Sequence, residues 1–136
     1  RGVIDDLEEL SVANRYRKDL AIRCSSVFQT TVNLSGGNQQ KVVLGKWLAM
    51  RPKVLLLDEP TRGIDVGAKS EIYNLIRQLS REGKTIIIFS SELPEVMNIC
   101  DSIYLLFDGS LKATLRNGDD VDSEKIIHIV TGGQGV

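Results

Sequence analysis

Apolar residues along this chain fall into blocks with two different spacings. Ile72, Leu75, Ile76 and Leu79 sit at i, i+3, i+4 and i+7. That spacing predicts a helix with one buried face, ended by Gly83 as its C-cap. Upstream, Ile4, Leu7, Leu10, Ala13 and Leu20 lie among Asp, Glu, Arg and Lys. They predict an amphipathic helix, or two short ones, over residues 3 to about 20. Residues 21–34, rich in Ser, Thr and Asn, read as a connector. Ser35 then stands as the N-cap of a helix running to about Met50, with Val42, Val43, Leu44, Trp47 and Leu48 as its apolar side. Arg51-Pro52 stops it, because proline cannot continue a helix.

Two blocks are continuous rather than periodic. Val54 to Leu57, bounded by Lys53 and Asp58, and Thr85 to Phe89 are short apolar runs. Such runs predict strands buried on both faces, the mark of a parallel sheet. Pro60 and Gly63 mark the loop after the first strand. Ser91 and Pro94 open a short helix ending near Cys100. Ile103 to Phe107 and Leu111 to Leu115 flank Asp108-Gly109, a hairpin signal. Asp122 or Ser123 caps a last helix through Ile126, Ile127 and Val130, and the end at Gly132-Gly133-Gln134-Gly135 is expected to fray. Strand, helix, strand, helix and an edge hairpin make an α/β order, with no internal repeat.

Length and composition narrow the class. The chain has 136 residues, enough for one modest domain with a core. It is 42% hydrophobic and 26% charged, with a formal net charge of -1, so no strong field argues for nucleic acid or an anionic membrane. Cys24 and Cys100 form no CxxC pair and read as free core thiols of a reducing compartment. The longest apolar runs, such as Ile86-Ile87-Ile88-Phe89, are too short to span a bilayer. An opening of Arg1-Gly2, without Met or a signal-peptide pattern, suggests a piece of a longer protein.

Three segments carry candidate chemistry. In Leu34-Ser35-Gly36-Gly37-Asn38-Gln39-Gln40 a helix begins at a Ser-Gly-Gly turn. Amides at a helix start point outward with partial positive charge, and glycines let the backbone approach an anion closely. Ser35 can donate to a phosphate oxygen, and the Asn38 amide lies near enough to help. Ser-Gly-Gly alone would favour a plain capped helix; the longer run LSGGNQQKV, about one helix upstream of an apolar strand, favours a phosphate grip instead. In the second segment, Leu55-Leu56-Leu57-Asp58-Glu59-Pro60, a strand end presents two adjacent carboxylates. Asp58 can hold Mg²⁺ through a water, and Glu59 can face an attacking water as general base. The third segment is Thr61 to Asp65, where Gly63 permits a tight turn. Asp65 can N-cap the helix beginning near Val66, and in its resemblance to the D-loop of ABC ATPases it would also reach across a dimer interface.

Gly83-Lys84-Thr85 ends like a phosphate loop, G-x-x-x-x-G-K-[ST], but position 78 is Gln78 and the tripeptide leaves a helix to enter a strand. Gly45-Lys46-Trp47 lies inside a helix. No phosphate loop is present in the sequence. The one histidine, His128, sits between Ile127 and Ile129 on the last helix and reads as a packing or surface residue.

These segments resemble the signature motif, Walker B motif and D-loop of ABC-transporter ATPases. The resemblance covers roughly residues 20 to 131. LSGGNQQKVVLGKWL, PKVLLLDEPTRGIDVGAKSEIY and SSELPEV are most similar to the carboxy-terminal nucleotide-binding domain of the fused, tandem ATPases that drive bacterial monosaccharide importers of the ribose, galactose and xylose group. The implied fold is an α/β partial P-loop NTPase sheet flanked by helices. Residues 1–50 would be part of a helical subdomain with the signature helix. Residues 51–136 would be the Walker B, D-loop and switch part of the core.

The implied cofactors are ATP and Mg²⁺. The implied partners are a second ATPase domain, paired head to tail, and membrane permease subunits at the cytoplasmic face of the bacterial inner membrane. Nucleic acid is not an implied partner. Ser35, Gly36, Gly37, Asn38, Gln39 and Asp65 would touch ATP held by the partner's Walker A loop. Asp58 and Glu59 would serve a site whose own Walker A precedes residue 1. The family usually carries a phosphate-contacting histidine where this chain has Ser91, so the two sites are expected to be unequal, with the signature side the more productive. Alone, the chain is expected to bind ATP poorly and to be inactive. The rival readings are a non-catalytic interaction module and a soluble ABC ATPase unconnected to transport. A sheet edge left open is also expected to favour self-association.

Overall fold

The computed structural model describes residues 5–118 and 122–132. The expectations for Ile4, for the Arg1-Gly2 opening and for Gly133-Gln134-Gly135 fall outside those residues. Two compact units are formed, Arg1–Phe89 and Ser90–Val136.

The first unit opens with α1, Asp6–Asp19. Asp5 caps it by accepting hydrogen bonds from the amides of Leu7 and Glu8 at 3.0 and 3.1 Å. One helix forms, yet none of its residues is fully buried, and Leu7 is exposed. The expected apolar face is only half covered because Val12, Ala13 and Tyr16 line an open groove against Ile22, Val42 and Gly45. Close approach is restricted to the end of α1. A Cβ on Gly45 would lie 3.2 Å from the side chain of the buried Leu20 and 3.6 Å from that of Tyr16. The connector holds one 3₁₀ turn, Thr31–Asn33.

Helix α2 spans Gly36–Leu48 and buries Gly37, Lys41, Leu44, Gly45 and Leu48, one stripe of the helix. Ser35 occupies the N-cap, but its side chain makes no capping bond. Strand β1, Val54–Asp58, follows, then α3, Val66–Arg81, and β2, Thr85–Phe89. Helix α3 buries Ile72, Leu75, Ile76 and Leu79, the face predicted by spacing. Gly83, at φ 88°, follows its end.

β1 and β2 pair in parallel, with Leu56 opposite Ile87 and Asp58 opposite Phe89. Here the structure departs from the expected doubly buried strands. Leu55 and Leu57 are buried, while Val54, Leu56, Ile87 and Phe89 stay exposed. In a two-stranded sheet α3 can cover only one face, and no described element covers the other.

The second unit starts with α4, Leu93–Ile99, capped at Glu92 rather than Ser91 and carrying Pro94 in its first turn. β3, Ser102–Phe107, and β4, Ser110–Arg116, form their own antiparallel sheet rather than an edge of the first. Asp108 and Gly109 both have positive φ, 48° and 67°, as a two-residue I′ turn requires. Asp122 caps α5, Ser123–Val130. Ile103, Leu105 and Ile126 form the core, packed by Val96, Met97 and Leu115 among others.

Candidate nucleotide site

Ser35 and Gly36 are exposed at the start of α2, and Gly37 is buried. The reason for glycine at 37 is steric: an added Cβ would lie 2.7 Å from the Cβ of Ala68 on α3. Gly36 has more room, since its Cβ would meet only the carbonyl oxygen of Gly63 at 3.7 Å. The Ser-Gly-Gly turn therefore sits directly against the loop that follows β1, a proximity that sequence spacing alone does not reveal.

Hydrogen bonds fix the turn. Asn38 Nδ2 donates to Ser35 Oγ at 2.8 Å, and Asn38 Oδ1 accepts from the backbone N–H of Arg23 at 2.8 Å. Gln39 donates through Nε2 to the Leu34 carbonyl at 2.8 Å and through its backbone N–H to the Ser35 carbonyl at 2.9 Å. Behind the turn, Arg23 Nη2 and Lys41 Nζ both reach Glu71 of α3, each at 2.9 Å. Lys41 is buried and also donates to the Ala21 carbonyl at 3.3 Å. Its hydrogen bond and charge, with a smaller contribution from Arg23, hold the Glu71 carboxyl below the usual range.

Arg23, Lys41 and Glu71 escape the motif reading. A signal was available, because Lys41 occupies the apolar stripe of α2 at a position where a charge needs a partner.

At the end of β1, Asp58 is exposed. Glu59 adopts a left-handed backbone, φ 44°, which bends the chain sharply off the strand. Its N–H donates to the Phe89 carbonyl at 2.8 Å, and its carbonyl accepts from Arg62 at 3.1 Å. Asp58 and Glu59 thus stand at the C-terminal edge of a parallel sheet, where ligands of α/β sheets bind. Pro60 and Thr61 are buried just beyond, anchoring the loop. Asp65 caps α3, its Oδ1 accepting from the Ala68 amide at 2.9 Å.

No group of three or more His, Cys, Asp or Glu could hold a metal among the described residues. A single exposed carboxylate nonetheless suits Mg²⁺, which takes one or two carboxylates and completes its shell with water and phosphates. Ser91 is exposed and belongs to the second unit, just ahead of α4. Cys24 and Cys100 are free and half-buried, and burial, followed by Asp101 and Glu95, pushes the Cys100 thiol up.

Residues 6–62, which contain both the turn and the carboxylate pair, match the ABC transporter family. An ABC transporter segment is therefore present in this chain. It is 49% identical over 126 residues to the D-allose import ATP-binding protein AlsA of Escherichia coli, covering 93% of this chain and 25% of that protein. It is 50% identical over 132 residues to the ribose import ATP-binding protein RbsA of Geobacillus kaustophilus, covering 97% and 26%. The chain thus spans about a quarter of the length of the curated relatives it matches.

Solved ABC cassettes share the fold. A nucleotide-free ATP-binding cassette superposes with a TM-score of 0.79 at 25% identity, over 96% of this chain and 49% of that one. A bacterial ABC transporter cassette solved as a dimer superposes at 0.72 and 25% identity, over 87% and 51%. Among the described residues of this chain, no helix is long and apolar enough to cross a membrane.

Proposed function

We propose that this chain is the signature and Walker B portion of an ATPase that couples ATP hydrolysis to monosaccharide uptake through membrane permease subunits, from the cytoplasmic face of the membrane. One observation carries the reading. The Ser35-Gly36-Gly37 turn and the loop leaving Asp58-Glu59 lie against each other, with Gly36 and the Gly63 carbonyl in near contact. The sugar-import relatives support the choice of cargo class, and the cassette solved as a dimer supports pairing with a second ATPase domain.

In this reading residues 1–50 belong to a helical subdomain and residues 51–136 to the ATPase core. The exposed amides at the start of α2 and the Ser35 hydroxyl close over a nucleotide whose phosphates lie in a partner domain's loop. Gln39 and Asn38 shape that turn, and Asp65 fixes the start of α3. Asp58 would hold Mg²⁺, which when bound would supply neutralisation of charge on the phosphate oxygens. Glu59 takes a proton from the attacking water. Ser91 has no imidazole, so the two nucleotide sites of the pair are unequal, the signature side being the more productive.

ATP turnover by the full-length ATPase, reconstituted with its permease, tests the proposal. Ser35→Ala is expected to remove most turnover and Glu59→Gln to leave a residual fraction from the stronger site. Unchanged turnover in Ser35→Ala would overturn it.

A further inference from the structure

The hydrogen bonds around Ser35 have a polarity that can be deduced atom by atom. The backbone N–H of Arg23 can only donate, so the Asn38 atom it meets at 2.8 Å is the amide oxygen. The other end of that amide is then the NH₂ group, which can only donate. It lies 2.8 Å from Ser35 Oγ. Ser35 Oγ is therefore an acceptor in this contact, and its single hydrogen is not consumed by it. With no capping bond to α2, the oxygen accepts from no backbone N–H of the helix either. The hydroxyl is left exposed as a donor at the mouth of the turn.

Arg23 is itself held in place. Its guanidinium pairs with Glu71 at 2.9 Å, and Glu71 pairs with the buried Lys41 at 2.9 Å. A relay thus runs from α3 through Glu71 and Arg23 to Asn38, and from Asn38 to Ser35.

We infer that Asn38 is a positioning residue that keeps the Ser35 hydroxyl a hydrogen-bond donor toward nucleotide phosphate, with Arg23 fixing the orientation of the Asn38 amide. This rests on the proposed function of the turn and deepens it. Aspartate at position 38 would still serve the Arg23 N–H with one oxygen. Its other oxygen would accept the Ser35 proton and turn the hydroxyl away from phosphate.

The test is a double-mutant cycle on kcat and KM for Mg-ATP in the full-length ATPase, using Ser35→Ala, Asn38→Asp and both together. Asn38→Asp is expected to lower kcat as Ser35→Ala does, by about 100-fold, the scale for losing one preorganised donor. The double variant should be no worse than Ser35→Ala alone, because both changes remove one function. Losses that multiply would overturn the inference, since Asn38 would then act independently of Ser35. Asn38→Ala, run through the same cycle with thermal melts of every variant, separates orientation from added charge and from misfolding. It should cost less than Asn38→Asp and nothing further in the Ser35→Ala background. Full turnover in Ser35→Ala would instead refute the underlying function, whatever Asn38 does.

Discussion

Lys41 and Glu71 meet at 2.9 Å across the α2–α3 contact, with the lysine side chain 6% exposed and the glutamate 42% exposed. The buried ammonium thus has Glu71 as its counter-charge, beside the Ala21 carbonyl it also donates to. Removing the carboxylate strands the charge, so Glu71→Gln should lower stability by about 1–2 kcal/mol, the low end for a charged hydrogen bond because Glu71 is partly solvated. Lys41 holds the Glu71 carboxyl below its ordinary value of 4.5. A depressed folded-state pKa gives stability that is present above the unfolded value and lost as pH falls through the folded one. Urea midpoints measured from neutral pH down through the region below 4.5 should therefore show wild type and Glu71→Gln converging at the acid end. Parallel curves would refute the pairing as a source of stability.

The contact between Gly37 and Ala68 makes a second prediction. Gly37→Ala puts two methyl carbons 2.7 Å apart, closer than real packing allows, so α2 and α3 must separate. Overpacking of this kind costs about 1–3 kcal/mol. Adding Ala68→Gly in the same chain should recover most of the loss in a denaturant titration, which a general intolerance of alanine in the turn would not allow.

Asn117 governs the end of α4. Its Nδ2 donates to the carbonyls of Met97 and Cys100 at 2.6 and 2.7 Å. Asn117→Asp replaces a double donor by an acceptor facing two acceptors. Amide hydrogen exchange across residues 96–100 should accelerate at least about tenfold, the kinetic image of 1.4 kcal/mol. Exchange at the wild-type rate would show that the cap is dispensable.

The uncovered sheet face bears on association. Val54, Leu56, Ile87 and Phe89 stand exposed on one side of two strands that have no further neighbour among the described residues. Apolar faces with open edges pair with other chains. Light scattering of the chain should rise in mass with concentration, and Leu56→Lys should suppress the rise. A constant monomer mass for the unaltered chain would contradict this expectation.

How much of this was legible in the residues depended on the range of the signal. Helix α3 and the Asp108-Gly109 hairpin turn depend on local spacing and local φ preference, and they form as the pattern predicts. Burial of β1 did not follow from its sequence, because Val54-Leu55-Leu56-Leu57 encodes a strand meant for two apolar layers and only one is described here. The turn and the carboxylate pair were visible as motifs. Their adjacency was not, since it depends on α2 packing against α3 at Gly37. Arg23 lay in a stretch that read only as connector, and its role emerges from a backbone N–H, an atom every residue but proline carries.

We propose that this chain completes a nucleotide site held by a partner domain, its own sequence showing no G-x-x-x-x-G-K-[ST] loop. A calorimetric titration of the isolated chain with Mg-ATP tests it most directly. No saturable heat is expected up to millimolar nucleotide, a dissociation constant weaker than about 1 mM. Saturable micromolar binding by the chain alone would contradict it and would return attention to Gly83-Lys84-Thr85.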